Sequence, residues 1–418
     1  MIKELTTKKI DSTDSWDEMK MVDACKILTC GVASTPKYVD EEIGIPFLSA
    51  QNVRDGEVVL NKYKYISKEF HEKLTSKNKP TKGDLLYSRV GAKYGEAGVV
   101  EHNFEFSVYV SVTLIRAKKE ILNNYFLKHY LNSPRIKELA KQSITSSGVP
   151  NLNVKSVREF PVPLPPLTQQ KQIVAILDKA FASIDAAKAN AEQNLQNTKE
   201  LFESYLQNIF ENKGDDWEMK ALGEICEMIK RGSQPKYTES ADGEIVLNQK
   251  CIRDHKINLS VARKHDTSKK TINKERYIQL GDGLINSTGT GTLGRVAQVR
   301  ELDFSAFVDT HITIVRPKKE VFYLDFFGWA LIYIEKIIQK SGEGASGQTE
   351  LSRKVVEKLI ISYPNEMKQQ KKIVQKLDSL SVECKKIEAI YTKKIADLDE
   401  MKKSVLQKAF SGQLNTIN

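Results

Sequence analysis

Five cysteines in 418 residues are too few and too scattered to staple a fold. Cys25, Cys30, Cys226, Cys251 and Cys384 include no C-x-x-C pair and no histidine at zinc-finger spacing, so neither a disulfide framework nor a zinc site is expected. They read as reduced and mostly buried. No apolar run suits a membrane: Val321 to Ile334 (VFYLDFFGWALIYI) is 14 residues long and contains Asp325, whereas a span needs about 20. It reads as a core helix. The first 15 residues, MIKELTTKKIDSTDS, hold no stretch that could serve as a secretory signal, so a cytoplasmic protein is expected. Gly (22) and Pro (12) are too sparse for a collagen-like or disordered polymer. An acidic surplus is also missing. Against 54 Asp and Glu stand 64 Lys and Arg, a net charge of +10 that favours a polyanion such as nucleic acid as partner.

What is present is an internal repeat with a period of about 200 residues. Trp16, Met19 and Lys20 return as Trp217, Met219 and Lys220, and Pro36-Lys37-Tyr38 returns as Pro235-Lys236-Tyr237. Gly83-Asp84, Ser88 and Gly95 match Gly281-Asp282, Ser287 and Gly294; Thr113 and Arg116 match Thr313 and Arg316. Phe126 and Leu131 match Phe326 and Leu331, and Ser147-Gly148 matches Ser346-Gly347. Gln169-Gln170-Lys171, Ile173-Val174 and Leu177-Asp178 reappear 200 residues on as Gln369-Gln370-Lys371, Ile373-Val374 and Leu377-Asp378. The chain is one unit written twice, each copy a globular part followed by a helical part.

The globular part reads as mixed α/β, an α+β class, with short strands at Leu85 to Val90, Val110 to Arg116 and Ile312 to Arg316. One helix per copy follows, around Asn123 to Gln142 and Leu324 to Lys340, with aromatic faces assigned to the core. In the helical part the apolar positions Ile173, Leu177, Ala180, Ile184, Ala187, Ala191, Leu195, Thr198, Phe202, Tyr205 and Ile209 alternate by four and three with one stutter. The second copy repeats it as Ile373, Leu377, Leu380, Cys384, Ile387, Tyr391, Ile395, Leu398, Lys402, Val405 and Ala409, with only Lys402 out of pattern. Each helix, about 40 residues or 60 Å, follows proline (Pro161 to Pro166; Pro364).

Two matching seams are buried together if the helices run antiparallel, which predicts a coiled-coil stalk with a globular copy at each end and internal pseudo-two-fold symmetry. Charge supports the pairing: residues 163–217 carry 5 basic and 8 acidic groups, and residues 363–418 carry 11 and 7. Both globular copies are basic, with 22 against 17 for residues 17–160 and 23 against 19 for residues 218–362.

These features resemble the specificity (S) subunit family of type I restriction-modification systems. The junction pattern of that family stands here as Pro163-Leu164-Pro165-Pro166-Leu167, Gln170, Ile173-Val174 and Leu177-Asp178. The second copy has Tyr363-Pro364-Asn365-Glu366 in place of the double proline but keeps Gln370, Ile373-Val374 and Leu377-Asp378. The tail Leu406-Gln407-Lys408-Ala409-Phe410-Ser411-Gly412 and its echo Leu206-Gln207-Asn208-Ile209-Phe210 are similar to the family's end, and Gly83-Asp84-Leu85-Leu86 to Gly95 and Gly281-Asp282-Gly283-Leu284 to Gly294 to a recurrent feature. The resemblance implies target recognition domains at 1–162 and 217–362 and helical conserved regions at 163–216 and 363–418. It implies that each domain reads half of an asymmetric bipartite site on double-stranded DNA, with the stalk as ruler. It further implies two methyltransferase (M) subunits docked on the helices, methylating adenine N6 with S-adenosylmethionine, and ATP- and Mg-dependent restriction/translocase (R) subunits. No cofactor is expected on this chain.

The residues agree with a chain that carries no chemistry of its own. The single Pro-Pro, Leu164-Pro165-Pro166-Leu167, lacks the polar residue and aromatic of an amino-methyltransferase motif, and no nuclease carboxylate-lysine cluster is identifiable. Gly289-Thr290-Gly291-Thr292-Leu293-Gly294 formally matches G-x-G-x-x-G, but it lacks Lys-Ser/Thr and Arg295 to Val299 reads as a strand, so no helix would cradle a phosphate. It reads as a structural turn or a turn near DNA. The six histidines, His71, His102, His129, His255, His265 and His311, form no ligand set, and no metal site is expected. Readout chemistry places Arg or Lys on guanine and Asn or Gln on adenine, with Ser, Thr and Lys on phosphates. On that basis the DNA-binding candidates are Lys37, Gln51, Asn52, Arg54, Ser88, Arg89 and Lys93 in the first copy, and Lys236, Asn248, Gln249, Arg253, Ser287, Thr288 and Arg295 in the second. The competing readings are a methyltransferase or nuclease in its own right, and a solitary DNA-binding or coiled-coil scaffold protein.

Overall fold

The computed structural model describes residues 7–9, 16–32, 36–144, 148–342, 350–411 and 415–417. The repeat landmarks Ser147, Ser346 and Gly347, and Gly412 of the tail, lie outside them. Two long helices dominate, Leu167–Glu211 and Met367–Phe410, starting 200 residues apart as the repeat requires. The chain divides into two compact units, Met1–Gln193 with Thr392–Asn418, and Asn194–Tyr391, so that each holds one globular copy and one half of each long helix.

In the first unit a six-stranded sheet runs in the order Cys25–Cys30, Val112–Ala117, Leu85–Ser88, Ala97–Val99, Glu57–Val58, Val53–Arg54. A four-stranded sheet of Ser107–Val108, Ile45–Leu48, Lys64–Ile66 and Tyr38–Val39 packs beside it. Leu85–Ser88 is buried along its whole length. Alternation sends Leu85 and Tyr87 to the helices and Leu86 to the cluster around Val53, Phe106 and Leu114. The second unit repeats the plan with Cys226–Arg231, Ile312–Pro317, Gly283–Asn286 and Val296–Gln298, and a second sheet of Tyr237–Thr238, Arg263–His265, Glu244–Leu247 and Ala306–Val308. There the ribbon Ile252–Arg253 and Lys256–Ile257 forms a separate two-stranded sheet.

Each single helix expected after the strands is broken in two. The first copy has Asn124–Leu131 and Pro134–Gln142, because Pro134 cannot continue the preceding helix and instead opens the next. The second has Leu324–Tyr333 and Glu335–Ser341 with no proline between them. The apolar run around Phe326 to Leu331 is buried, as a core helix requires. No helix among the described residues is long and apolar enough to cross a membrane. All five cysteines are free, four are buried, and burial pushes the Cys25 and Cys226 thiols up to about 12.

Each Gly-Asp landmark has a structural role. Asp84 takes two bonds from the Arg116 guanidinium (2.6 and 2.7 Å), and Asp282 takes two from Arg316 (2.7 and 2.8 Å). These bidentate pairs tie the loop before one strand to the neighbouring strand.

The tail motif and its echo also have a duplicated role. In the first unit the Phe410 ring lies edge-on to Phe126 and Tyr130, at 5.3 and 5.1 Å, in a core that also holds Ile173, Leu177 and Leu406. In the second, Phe210 stacks on Tyr333 at 4.5 Å beside Phe326, with Leu206, Val374 and Leu377. Antiparallel pairing is explicit in the first unit, where Lys402 Nζ reaches Asp185 (2.9 Å) and Lys188 Nζ reaches Asp399 (2.7 Å). Lys402, out of pattern in the seam, lays its ammonium 4.8 Å from the Phe181 ring centre on the way to that carboxylate.

The seam positions Ile173, Leu177, Ile184 and Ala191, and Leu377 and Cys384, are buried. Leu195, Phe202, Ile209, Ile373, Leu380, Ile395, Leu398 and Val405 are half-buried. Ile387 departs from the expectation at 38% exposed. The inward positions step by four from Cys384 to Glu388 before reaching Tyr391, so Glu388 takes the inner place. A 3.6-residue turn drifts against a strict 4-3 pattern, and the phase had turned by there.

Each long helix is latched to its own globular copy a second time. His129 Nε2 meets Asp178 at 2.8 Å, and at the matching place the Trp329 indole N–H donates to Asp378 at 2.9 Å, with Arg300 adding a bond of 2.8 Å. Burial pushes the His129 imidazole below its ordinary 6.5, outweighing Asp178, and Lys128 and Lys402 add to the lowering. The His129 bond in turn holds Asp178 below the usual carboxylate range. Both lowered groups contribute stability that is full above their unfolded values, 6.5 and 3.8, and is lost as pH falls below each in turn. Trp329 does not titrate. Thermal melts between pH 7.5 and 5.5 should therefore show the first unit losing stability, and His129→Gln, which keeps an N–H donor, should reduce that loss, the buried His71, also held below its ordinary value, keeping the remainder.

Candidate nucleic-acid interface

The polar candidates sort into braces and free side chains. The hairpins that follow Ser88 and Ser287 connect antiparallel strands and must satisfy their backbone groups internally. Ser88 Oγ donates to the Lys93 carbonyl (2.9 Å) and accepts from the Glu96 amide (3.0 Å). Arg89 donates to the carbonyls of Val110 (2.6 Å) and Leu152 (2.7 Å) and to Asn151. Asn52 donates to the carbonyls of Val59 and Lys62 and accepts from the Ser49 amide. Ser287 lies against Thr313. All four are buried, and in this structure they brace the loops.

Three further candidates are engaged, two of them at the second hairpin. Thr288 Oγ1 pairs with His311 Nδ1 (2.8 Å), Gln249 Oε1 accepts from Thr292 (3.3 Å), and Asn248 donates to the Val261 carbonyl (3.2 Å). The glycine loop Gly289 to Gly294 is a turn running into the strand Val296–Gln298, as its sequence implied, and no helix follows it. Its Leu293 and Gly294 amides bond inward to Gly289 and Asn286. Gly294 sits at φ +77°, and a Cβ there would come within 2.8 Å of the Gln339 backbone. Gly95 keeps the same left-handed conformation in the first hairpin, at φ +79°.

The remaining candidates are exposed or half-buried, and two matched pairs stand out. Lys37 and Lys236 are exposed beside Tyr38 and Tyr237. Arg54 and Arg253 are exposed at the ribbon turns, where Asp55, Asp254 and His255 take positive φ. Lys93 is exposed in the first hairpin, Gln51 reaches only the Lys62 carbonyl (3.2 Å), and Arg295 donates to the Gly291 carbonyl (2.9 Å).

Sequence reasoning missed two features that strand pairing creates. Lys64 lies over the Tyr38 ring at 4.1 Å, and Arg263 lies over Tyr237 at 3.4 Å, a cation–π pair present in both copies. The first unit also has a cavity of about 540 Å³ lined by Lys26, Lys82, Lys118 and Lys119 around the Asp84–Arg116 pair. It opens at the end of Leu85–Ser88 away from the hairpin. The second copy has Glu227 and Leu280 where the first has Lys26 and Lys82, so this basic concavity is not repeated in kind. Lysines from Cys25–Cys30 and from the turn after Val112–Ala117 converge only because those strands pair, a long-range fact with no local signature. Among the described residues no group of three or more His, Cys, Asp or Glu is placed to hold a metal ion.

Two basic mixed α/β domains, each closed by the ends of two long helices and presenting exposed cations at matched loops, define a protein built by duplication. A family model described as the type I restriction modification DNA specificity domain matches twice, at residues 13–197 and 214–396. The chain belongs to that family. It is 24% identical over 252 residues to a putative type I restriction enzyme MjaX specificity subunit of Methanocaldococcus jannaschii, covering 55% of this chain and 58% of that protein. It is 22% identical over 390 residues to the type I restriction enzyme EcoKI specificity subunit of Escherichia coli, covering 88% and 82%. In fold it matches a chain solved in a study of complex assembly and conformational transition of the type I R-M system, with a TM-score of 0.75, 16% identity, and 98% and 100% coverage.

The division into braces and free side chains is measurable. Arg89→Met strips buried carbonyls of their donor and should cost about 1–3 kcal/mol in denaturant unfolding. Lys93→Ala, at the tip of the same hairpin, should stay within about 0.5 kcal/mol of the parent.

Proposed function

We propose that the chain is the DNA-specificity subunit of a type I restriction-modification complex and is not itself an enzyme. Each globular copy reads one half of an asymmetric bipartite site on double-stranded DNA. The paired helices set the spacer between the halves and dock two methyltransferase subunits, which methylate adenine N6 with S-adenosylmethionine. Restriction/translocase subunits add ATP- and Mg-dependent chemistry. The observation that carries this reading is that one DNA specificity domain occurs twice in a chain whose two copies share a frame and differ in their exposed groups.

Docking on the helices is supported by apolar residues left in solvent on them. Leu201, Val382 and Ile390 are 57%, 52% and 63% exposed, and an open groove of about 710 Å³ runs past Leu201, Tyr205 and Leu380. A scaffold role alone would account for the helices but not for two basic domains.

Methylation mapped across a host genome with and without the gene should reveal one bipartite motif that depends on the gene; methylation without a motif would refute the reading. Binding by the chain with its methyltransferase partner should weaken steeply with salt. Lys26→Gln and Lys82→Gln, which remove cations from the first copy, should each lower the salt slope by about one. Adding one turn to both helices, about 6 Å, should lengthen the preferred spacer by roughly two base pairs at 3.4 Å each.

A further inference from the structure

Gln170 and Gln370 each occupy the fourth position of a long helix, and both side chains are fully buried. Gln170 Oε1 accepts from the Asn123 amide (2.8 Å), and its Nε2 donates to the carbonyls of Ile121 (2.8 Å) and Pro165 (2.8 Å). Gln370 does the same with the Tyr323 amide (2.8 Å) and the carbonyls of Val321 (3.0 Å) and Pro364 (2.9 Å). One amide group thus joins three pieces of chain in each copy. These are the turn that starts the domain helix, the proline lead-in and the first turn of the long helix.

We infer that Gln170 and Gln370 are positioning residues that fix the angle and register of each recognition domain on its helix, and so the half-site spacing that the protein accepts. The inference rests on the specificity-subunit reading. Apolar contacts such as those of Ile173 and Leu177 change little when a helix slides or tilts by a fraction of a turn. A buried amide with three partners is different, because any shift leaves donors and acceptors with neither partner nor water. The Asp178–His129 and Asp378–Trp329 latches lie two turns further along and supply the second fixed point that an axis direction needs. Leverage makes the angle matter. A helix of 45 residues is about 68 Å long, so a tilt of about 5° at its base moves its far end by about 6 Å, nearly two base-pair steps.

The test uses the full chain in complex with its methyltransferase partner, reading methylation over a library of sites in which only the spacer varies. Gln170→Met and Gln370→Met keep the bulk and lose all three bonds. They should leave the half-site bases unchanged while discrimination between the preferred spacer and neighbours one base pair longer or shorter falls several-fold. Gln170→Glu, which keeps the acceptor for Asn123, should fall between Met and the parent, and it decides the matter if the Met variants do not fold. Variants as sharp in spacer choice as the parent would overturn the inference, as would variants that change half-site bases with the spacer intact. A parent that directs no bipartite methylation would instead overturn the functional reading.

Discussion

The structure depends on the closing of each globular copy by helix ends that are remote in sequence. The first copy is finished by the start of its own helix, through Ile173 and Leu177, and by the end of the other, through Leu406, Ala409 and Phe410. The second is finished by Val374 and Leu377 together with Leu206 and Phe210. Aromatic contacts of this size dominate burial energetics. The helices are therefore not spacers attached to finished domains, since removing either helix end opens a core. This is why the Leu-Gln-x-x-Phe tail and its echo exist: each Phe is a wedge for one domain.

Duplication works as an internal control on which residues the frame needs. Gln170 and Gln370 and the Asp84–Arg116 and Asp282–Arg316 pairs hold equivalent positions with equivalent partners, and Cys25 and Cys226 are buried at equivalent places. Breaking such a pair on one side leaves an uncompensated buried group. Some of the divergence stands at the surface, as with Lys26 and Glu227 or Lys82 and Leu280. A frame held by matched buried polar groups leaves its outer residues free to differ.

The repeat, the helix starts and most of the seam were legible because they depend on spacing alone, which local sequence carries. Ile387 failed because phase error accumulates along a helix, and no single heptad shows it. The helix break at Pro134 was visible in principle, but the matching break before Glu335 has no proline to mark it. The exposure of the candidate contacts was legible in part. Lys37, Arg54, Lys93, Lys236 and Arg253 are exposed, whereas Asn52, Ser88, Arg89 and Ser287 turned inward. Residue type could not separate the groups, because the hydrogen-bonding capacity that suits a side chain to a base edge also suits it to a loop carbonyl. The lysine cavity was invisible for the opposite reason: its members are ordinary lysines until strand pairing gathers them.

The two latches at Asp178 and Asp378 show how far symmetry of the frame extends and where it stops. Both carboxylates receive an N–H from residue 129 or 329 of the domain helix, so the geometry of helix on domain is preserved. The donors differ in kind. An imidazole held neutral by burial can gain a proton at the cost of its place in the core, whereas an indole cannot; the cation beside the carboxylate is Lys128 on the first side, at 4.0 Å, and a directly bonded Arg300 on the second. Equal shape is therefore maintained by unequal electrostatics. The same inequality appears outside, where the first copy gathers four lysines around a cavity and the second replaces two of them with Glu227 and Leu280. Two copies of one frame thus present different electrostatic fields through the same scaffold.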